Sequence, residues 1–138
     1  MKIYAVKKFM AHICLAVCLM LVLVPLPVQA QSSVGLSLRL SPTTVAVGGT
    51  VGLFGLVTNN TGSRLRTTVT YSSVSACGIE TNIGSTRVAL NPGQTIQVTA
   101  SYPLAPDACP GLYAVSISAN SGGKNAAATS ATAYLTVQ

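Results

Sequence analysis

The chain has little acid–base chemistry to offer. Of 138 residues, two are acidic and one is histidine, against eight lysines and arginines, and tryptophan is absent. The histidine, His12, belongs to an N-terminal stretch with another purpose. General acid–base work would then fall to Glu80, Asp107, lysine or tyrosine, and the two acids lie in separate loops with no second carboxylate beside either. No HExxH, GxSxG or phosphate-loop motif occurs. Calcium wants several oxygen ligands, usually two or more carboxylates, and zinc wants more ligands than two cysteines. These shortages argue against an enzyme, a metal site and a cofactor.

The first thirty residues read as an address. Lys2, Lys7 and Lys8 make a basic start, an apolar run follows from Ile13 to Val24, and Pro25 and Pro27 end it. Val28-Gln29-Ala30 places small residues where a signal peptidase reads, so cleavage is expected between Ala30 and Gln31. A spanning helix needs roughly 20 apolar residues; Phe9 to Val28 reaches that only by including His12 and both prolines. Leu15-Ala16-Val17-Cys18 has a faint likeness to a lipidation site, but Val17 is too bulky and the apolar run continues beyond Cys18. The expectation is a secretory signal peptide over residues 1–30 and one exported domain over 31–138, with no membrane contact after cleavage. That domain keeps Arg39, Arg64, Arg66, Arg87 and Lys124 against Glu80 and Asp107. A net charge near +3 is too mild to argue for nucleic acid.

Period two dominates what remains. Val34, Leu36, Leu38 and Leu40 alternate with polar or small residues; so do Ile96, Val98, Ala100 and Tyr102, then Tyr113, Val115, Ile117 and Ala119, then Ala133, Leu135 and Val137. One apolar and one Thr/Ser face is what an antiparallel sheet needs when one side is buried. Turn signals fall between the runs: Gly48-Gly49, Asn59-Asn60-Thr61-Gly62, Asn91-Pro92-Gly93-Gln94 and Asn120 to Asn125. The third has type II chemistry, with proline at its first corner and glycine at its second. About seven strands are expected, at 34–40 (continuing to 47), 50–58, 64–74, 85–90, 95–103, 112–119 and 127–137. That is an all-β, immunoglobulin-like antiparallel sandwich.

Three stretches, LRLSPTTVAVGGTVGLFGLVTNNTG, LNPGQTIQVTASYPL and CPGLYAVSISA, resemble bacterial Ig-like modules of the CARDB and NPCBM-associated type. The resemblance implies that sandwich, a bacterial source, and adhesion or scaffold roles at the cell envelope. It brings no catalytic residues.

In such a sandwich the first, third and fifth connections share one pole. Cys77 follows the third strand and Cys109 precedes the sixth, so the two sole cysteines of the exported part are expected to form a disulfide there. A reactive thiol would want a basic partner, normally histidine. Closing a loop of about 33 residues should stabilise by about 3–4 kcal/mol on the chain-entropy model. Tyr113 is placed for a tyrosine corner, its hydroxyl returning to backbone between Asp107 and Pro110, although a plain core tyrosine fits equally.

Two surfaces are candidates for binding. Loops with Asn59, Asn60, Arg64, Asn120, Lys124 and Asn125 should converge opposite the disulfide and offer charge and hydrogen bonds to a sugar or peptide; ordinary turn chemistry explains the same composition, with the asparagines taking left-handed conformations. Asn59-Asn60-Thr61 also matches a glycosylation sequon. On the second strand, Phe54 and Leu56 should point outward with Gly52 and Gly55, unless a bulge at Gly55 turns Phe54 inward. Arg66 and Arg87 are expected outward, as solvated charges without partners. The expected role is a non-catalytic exported module with a protein or glycan partner at the envelope. The alternative is a subunit of a surface fibre or complex, assembled by strand addition at the sparsely charged last strand.

Overall fold

Two sheets bury the apolar rows against each other. The computed structural model describes residues 32–121 and 128–138; the expected signal segment with its cleavage site at Ala30 and Gln31, and Lys124 and Asn125, lie outside the described residues. Eight strands are described: β1 (Val34–Ser41), β2 (Thr44–Val45), β3 (Thr50–Asn59), β4 (Leu65–Val74), β5 (Glu80–Leu90), β6 (Thr95–Pro103), β7 (Gly111–Asn120) and β8 (Thr129–Val137). One sheet has the order β1-β3-β6 and the other β2-β8-β7-β4-β5. The protein is all-β over these residues, as the alternation requires.

The expected inward rows are the observed core. Val51, Leu53 and Val57 of β3 meet Val69 of β4, Val115 and Ile117 of β7 and Leu135 of β8, all fully buried. Each such side chain contributes about 1.5–3 kcal/mol relative to exposure, so this cluster outweighs any surface contact.

Three details differ from expectation. The first strand splits: β1 belongs to the three-stranded sheet, while β2 pairs in parallel with the end of β8, Thr44 opposite Thr136 and Val45 opposite Val137. A cis peptide joins Ser41 to Pro42 at the crossing. The strand expected at 85–90 starts at Glu80 and pairs along β4, with a bulge opposite Tyr71 and Ser72. Its first half alternates poorly because it lies at a sheet edge and buries little. Lastly, Gly55 faces inward, not outward. The β3–β6 register runs unbroken through it, so no bulge occurs there, and Phe54 and Leu56 stay on the outer face.

Gly55 makes room for a contact between the sheets. The Tyr71 hydroxyl of β4 crosses the interior and donates to the Val98 carbonyl of β6 at 2.8 Å. A Cβ on Gly55 would lie 2.3 Å from Ile117 Cδ1 and 2.6 Å from that hydroxyl. Burial holds the Tyr71 phenol above its ordinary range, with a backbone hydrogen bond at Gly55 partly offsetting it.

The disulfide joins Cys77, between β4 and β5, to Cys109, between β6 and β7, with Cα atoms 6.2 Å apart. At the same pole, Gly48 N–H donates to the Ala105 carbonyl and Leu104 N–H to that of Gly49, so all three connections meet there. The Tyr113 hydroxyl returns to the Cys109 carbonyl at 3.0 Å, forming the corner. Its phenol is also raised, by burial first and then by the neighbouring Tyr102.

Two predictions concern this framework. Replacing Cys77 or Cys109 by serine should lower the melting temperature of the oxidised protein by on the order of 10–20 °C; an unchanged melt, or two free thiols in mass spectra of the native protein, would remove the staple from the account. Gly55→Ala should destabilise by about 1–3 kcal/mol in urea titration through overpacking, whereas a neutral result would mean that the Tyr71 contact is dispensable.

Candidate binding surfaces

The loops opposite the disulfide form a hydrogen-bonded knot centred on Asn59. This residue is fully buried, and its side chain serves the protein itself. Its amide nitrogen donates to the carbonyls of Ser63 at 2.8 Å and Asn91 at 3.0 Å, with a longer contact to Leu90 at 3.3 Å. Its Oδ1 accepts from the Thr61 backbone N–H and hydroxyl. Asn59 N–H donates to the Gln94 carbonyl, and Gly93 N–H donates to that of Asn59. The Asn91–Gln94 turn closes as its chemistry predicts, with Gly93 at φ +70 and Gln94 N–H on the Asn91 carbonyl.

Asn59 is therefore a tether between two connections, and it is withdrawn from the candidate binding residues and as a sequon acceptor. Among the described residues no asparagine adopts a left-handed conformation, so its part in the turn is played by the side chain. Asn60 is exposed, yet its amide donates to the Ser32 carbonyl and its N–H to that of Ser33, tying down the start of the described chain. Arg64 is exposed on the loop before β4, and Asn120 is exposed at the end of β7. These two candidates remain on the surface at this pole.

The outer face of the three-stranded sheet carries Phe54 and Leu56, 37% and 45% exposed. The Phe54 ring leans over Gly52. Together with Ser37, Leu38, Arg39 and Gln97 the pair borders a shallow depression of about 380 Å³.

The outer face of the five-stranded sheet holds a larger apolar group that sequence reasoning missed. Pairing sets Val74, Ala114 and Tyr134 in one row across β4, β7 and β8, with Glu80 opposite Val74 at the β5 edge and Leu112 in the next row. Tyr134 and Leu112 are each about 60% exposed and Val74 is 40% exposed. Only pairing register could have gathered them, since they come from three separate strands. Beyond this cluster the face turns to uncharged hydroxyls: Ser72, Ser116 and Thr132 in one row, Thr70, Ser118 and Ser130 in the next. It ends with Thr68 opposite both Arg87 and Asn120, and Arg66 opposite Ala89. Both arginines are exposed, as expected.

Asn59→Ala should destabilise by about 2–3 kcal/mol, because several carbonyls and one N–H lose their partner. Hydrogen exchange should then quicken at Thr61 and Gly93 while the disulfide pole stays protected; uniform exchange with no loss of stability would refute the tether.

No family model and no curated protein sequence matches the chain. Among solved structures, it is similar to the alkylpurine DNA glycosylase AlkC of Pseudomonas fluorescens, bound to DNA containing an abasic site analog, with TM-score 0.64 at 14% identity over 78% of this chain. It is similar to a β-glucosidase from Erythrobacter marinus with TM-score 0.61 at 14% identity, again over 78% of this chain. It spans only 31% and 16% of those two chains. The match to the CARDB domain of a Pyrococcus furiosus protein, in complex with di-metal ions, covers 79% of this chain and 97% of that one, with TM-score 0.56 at 18% identity. At these identities the likeness concerns fold, and the coverage of an entire domain specifies which: the chain folds as a CARDB-like β-sandwich.

Proposed function

We propose that the protein is an exported, non-catalytic module of the cell envelope, and that it works by binding a protein or glycan through the outer face of its five-stranded sheet. The observation that carries this reading is the graded chemistry of that face. An exposed apolar cluster, two rows of hydroxyls and a cationic end lie in succession on one sheet. A sheet covered only by solvent has no need of a clustered Tyr134, Leu112 and Val74. Export is supported by the basic, apolar and small-residue order of the first thirty positions. A bacterial source is the expectation that accompanies the resemblance.

A second reading, a fibre or complex subunit, has one observation in its favour. β2 covers β8 only at Thr136 and Val137. The rest of that edge, Thr129 to Leu135, pairs only with β7 among the described residues. Strand addition needs such an edge.

Cell fractionation with N-terminal sequencing, followed by chromatography with light scattering, separates these readings. The proposal expects a protein outside the cytoplasm that begins at Gln31 and runs as a monomer. A ladder of oligomers would establish the subunit reading instead, and cytoplasmic retention would sink both.

A further inference from the structure

Away from the disulfide, the outer face of the five-stranded sheet ends in a shallow cleft of about 460 Å³. Arg66, Thr68, Arg87 and Ser121 line it. Because Arg87 pairs with Thr68 and Arg66 with Ala89, the two arginines are diagonal neighbours on one face. Cβ atoms at such positions lie within about 7–8 Å. Neither guanidinium has an ion pair or hydrogen bond within the described residues. The chain's two acids stand at the other end: Glu80 begins β5 beside the Cys77 loop, and Asp107 lies two residues before Cys109. Two like charges thus face one opening without a protein counter-charge.

We infer that this cleft binds a carboxylate-bearing glycan, its carboxylate held by Arg66 and Arg87 and its neighbouring sugar hydroxyls by the Ser/Thr rows of β4, β7 and β8. The inference rests on the binding-module reading and names its ligand class. A guanidinium presents a planar fork that matches a carboxylate at two points. The surface running out of the cleft is what a polyhydroxylated chain requires. Thr70, Ser118 and Ser130 form the next row, Ser72, Ser116 and Thr132 the one after, and none is charged. Rows two residues apart along a strand repeat at about 6.6–6.8 Å. A sugar chain laid along the strands exchanges water for these hydroxyls while its acid group neutralises the arginines. Nucleic acid fits less well: among the described residues no aromatic side chain lines the cleft to stack on a base, and two arginines neutralise few phosphates.

Titration calorimetry of the purified protein tests this with polygalacturonate as the probe. Neutral dextran, inorganic phosphate and phosphatidylglycerol vesicles serve as comparisons. Polygalacturonate should bind at low salt and weaken as salt rises, while dextran should not bind measurably. The double variant Arg66→Ala/Arg87→Ala should lose about tenfold or more in affinity at an unchanged melting temperature. Arg66→Lys/Arg87→Lys should retain part of the binding, since charge survives without the fork. Equal binding of dextran, binding of phosphate or vesicles in place of polygalacturonate, or a double alanine variant that binds like the parent would each overturn the assignment. An exported monomer that binds no polygalacturonate would remove this ligand and leave the module reading standing; oligomer ladders or cytoplasmic retention would remove that reading itself.

Discussion

Everything in this molecule is arranged around one apolar layer, where β3 presses Val51, Leu53 and Val57 against Val69, Val115, Ile117 and Leu135 of the facing sheet. These side chains are wholly excluded from water. Strand geometry makes the rest follow. If alternate residues must point inward, the residues between them point out, and one decision about the core assigns both outer faces. The Tyr71 hydroxyl adds a directional contact to this otherwise non-directional layer, and Gly55 is the residue that permits it. The disulfide and the Tyr113 corner then tie down the pole where four strands turn.

The alternation of β1, β6, β7 and β8 was legible because each buries one face only, so period two survives in the letters. β5 was half legible. Its Glu80-Thr81-Asn82 start lies exposed at an edge, where burial imposes no pattern, and its bulge breaks the count. β2 was invisible as a separate strand: two residues carry no periodicity, and only the pairing with Thr136 and Val137 defines it. Gly55 was misplaced for a related reason. A residue without a side chain does not announce its face by its letter, although the period that turns Phe54 and Leu56 outward turns the residue between them inward, where it is buried.

The candidate surfaces show the same limit from the other direction. Asn59 looked like a loop donor because asparagine in a turn is commonly exposed. Its actual partners are the carbonyls of Ser63 and Asn91, in two connections, and of Leu90 at the end of β5, which only the fold brings together. The cluster of Val74, Leu112 and Tyr134 could not be assembled from three separate strands without knowing which of them are neighbours. The cysteine pair was readable because chemistry left few alternatives: two thiols, no basic partner, and connections that meet at one end.

The separation of charge along the sandwich has a consequence at long range. Arg64, Arg66 and Arg87 occupy the end where β4 begins, and Glu80 and Asp107 the end that the disulfide closes. A body so charged has an electric moment directed along its strands. Near any anionic surface, the torque on such a moment would turn the molecule before the two touch, within the Debye length of about 8–10 Å at ordinary ionic strength. Were the proposed acidic glycan the ligand, encounters would be biased toward arrival with the arginines leading, without a single added contact.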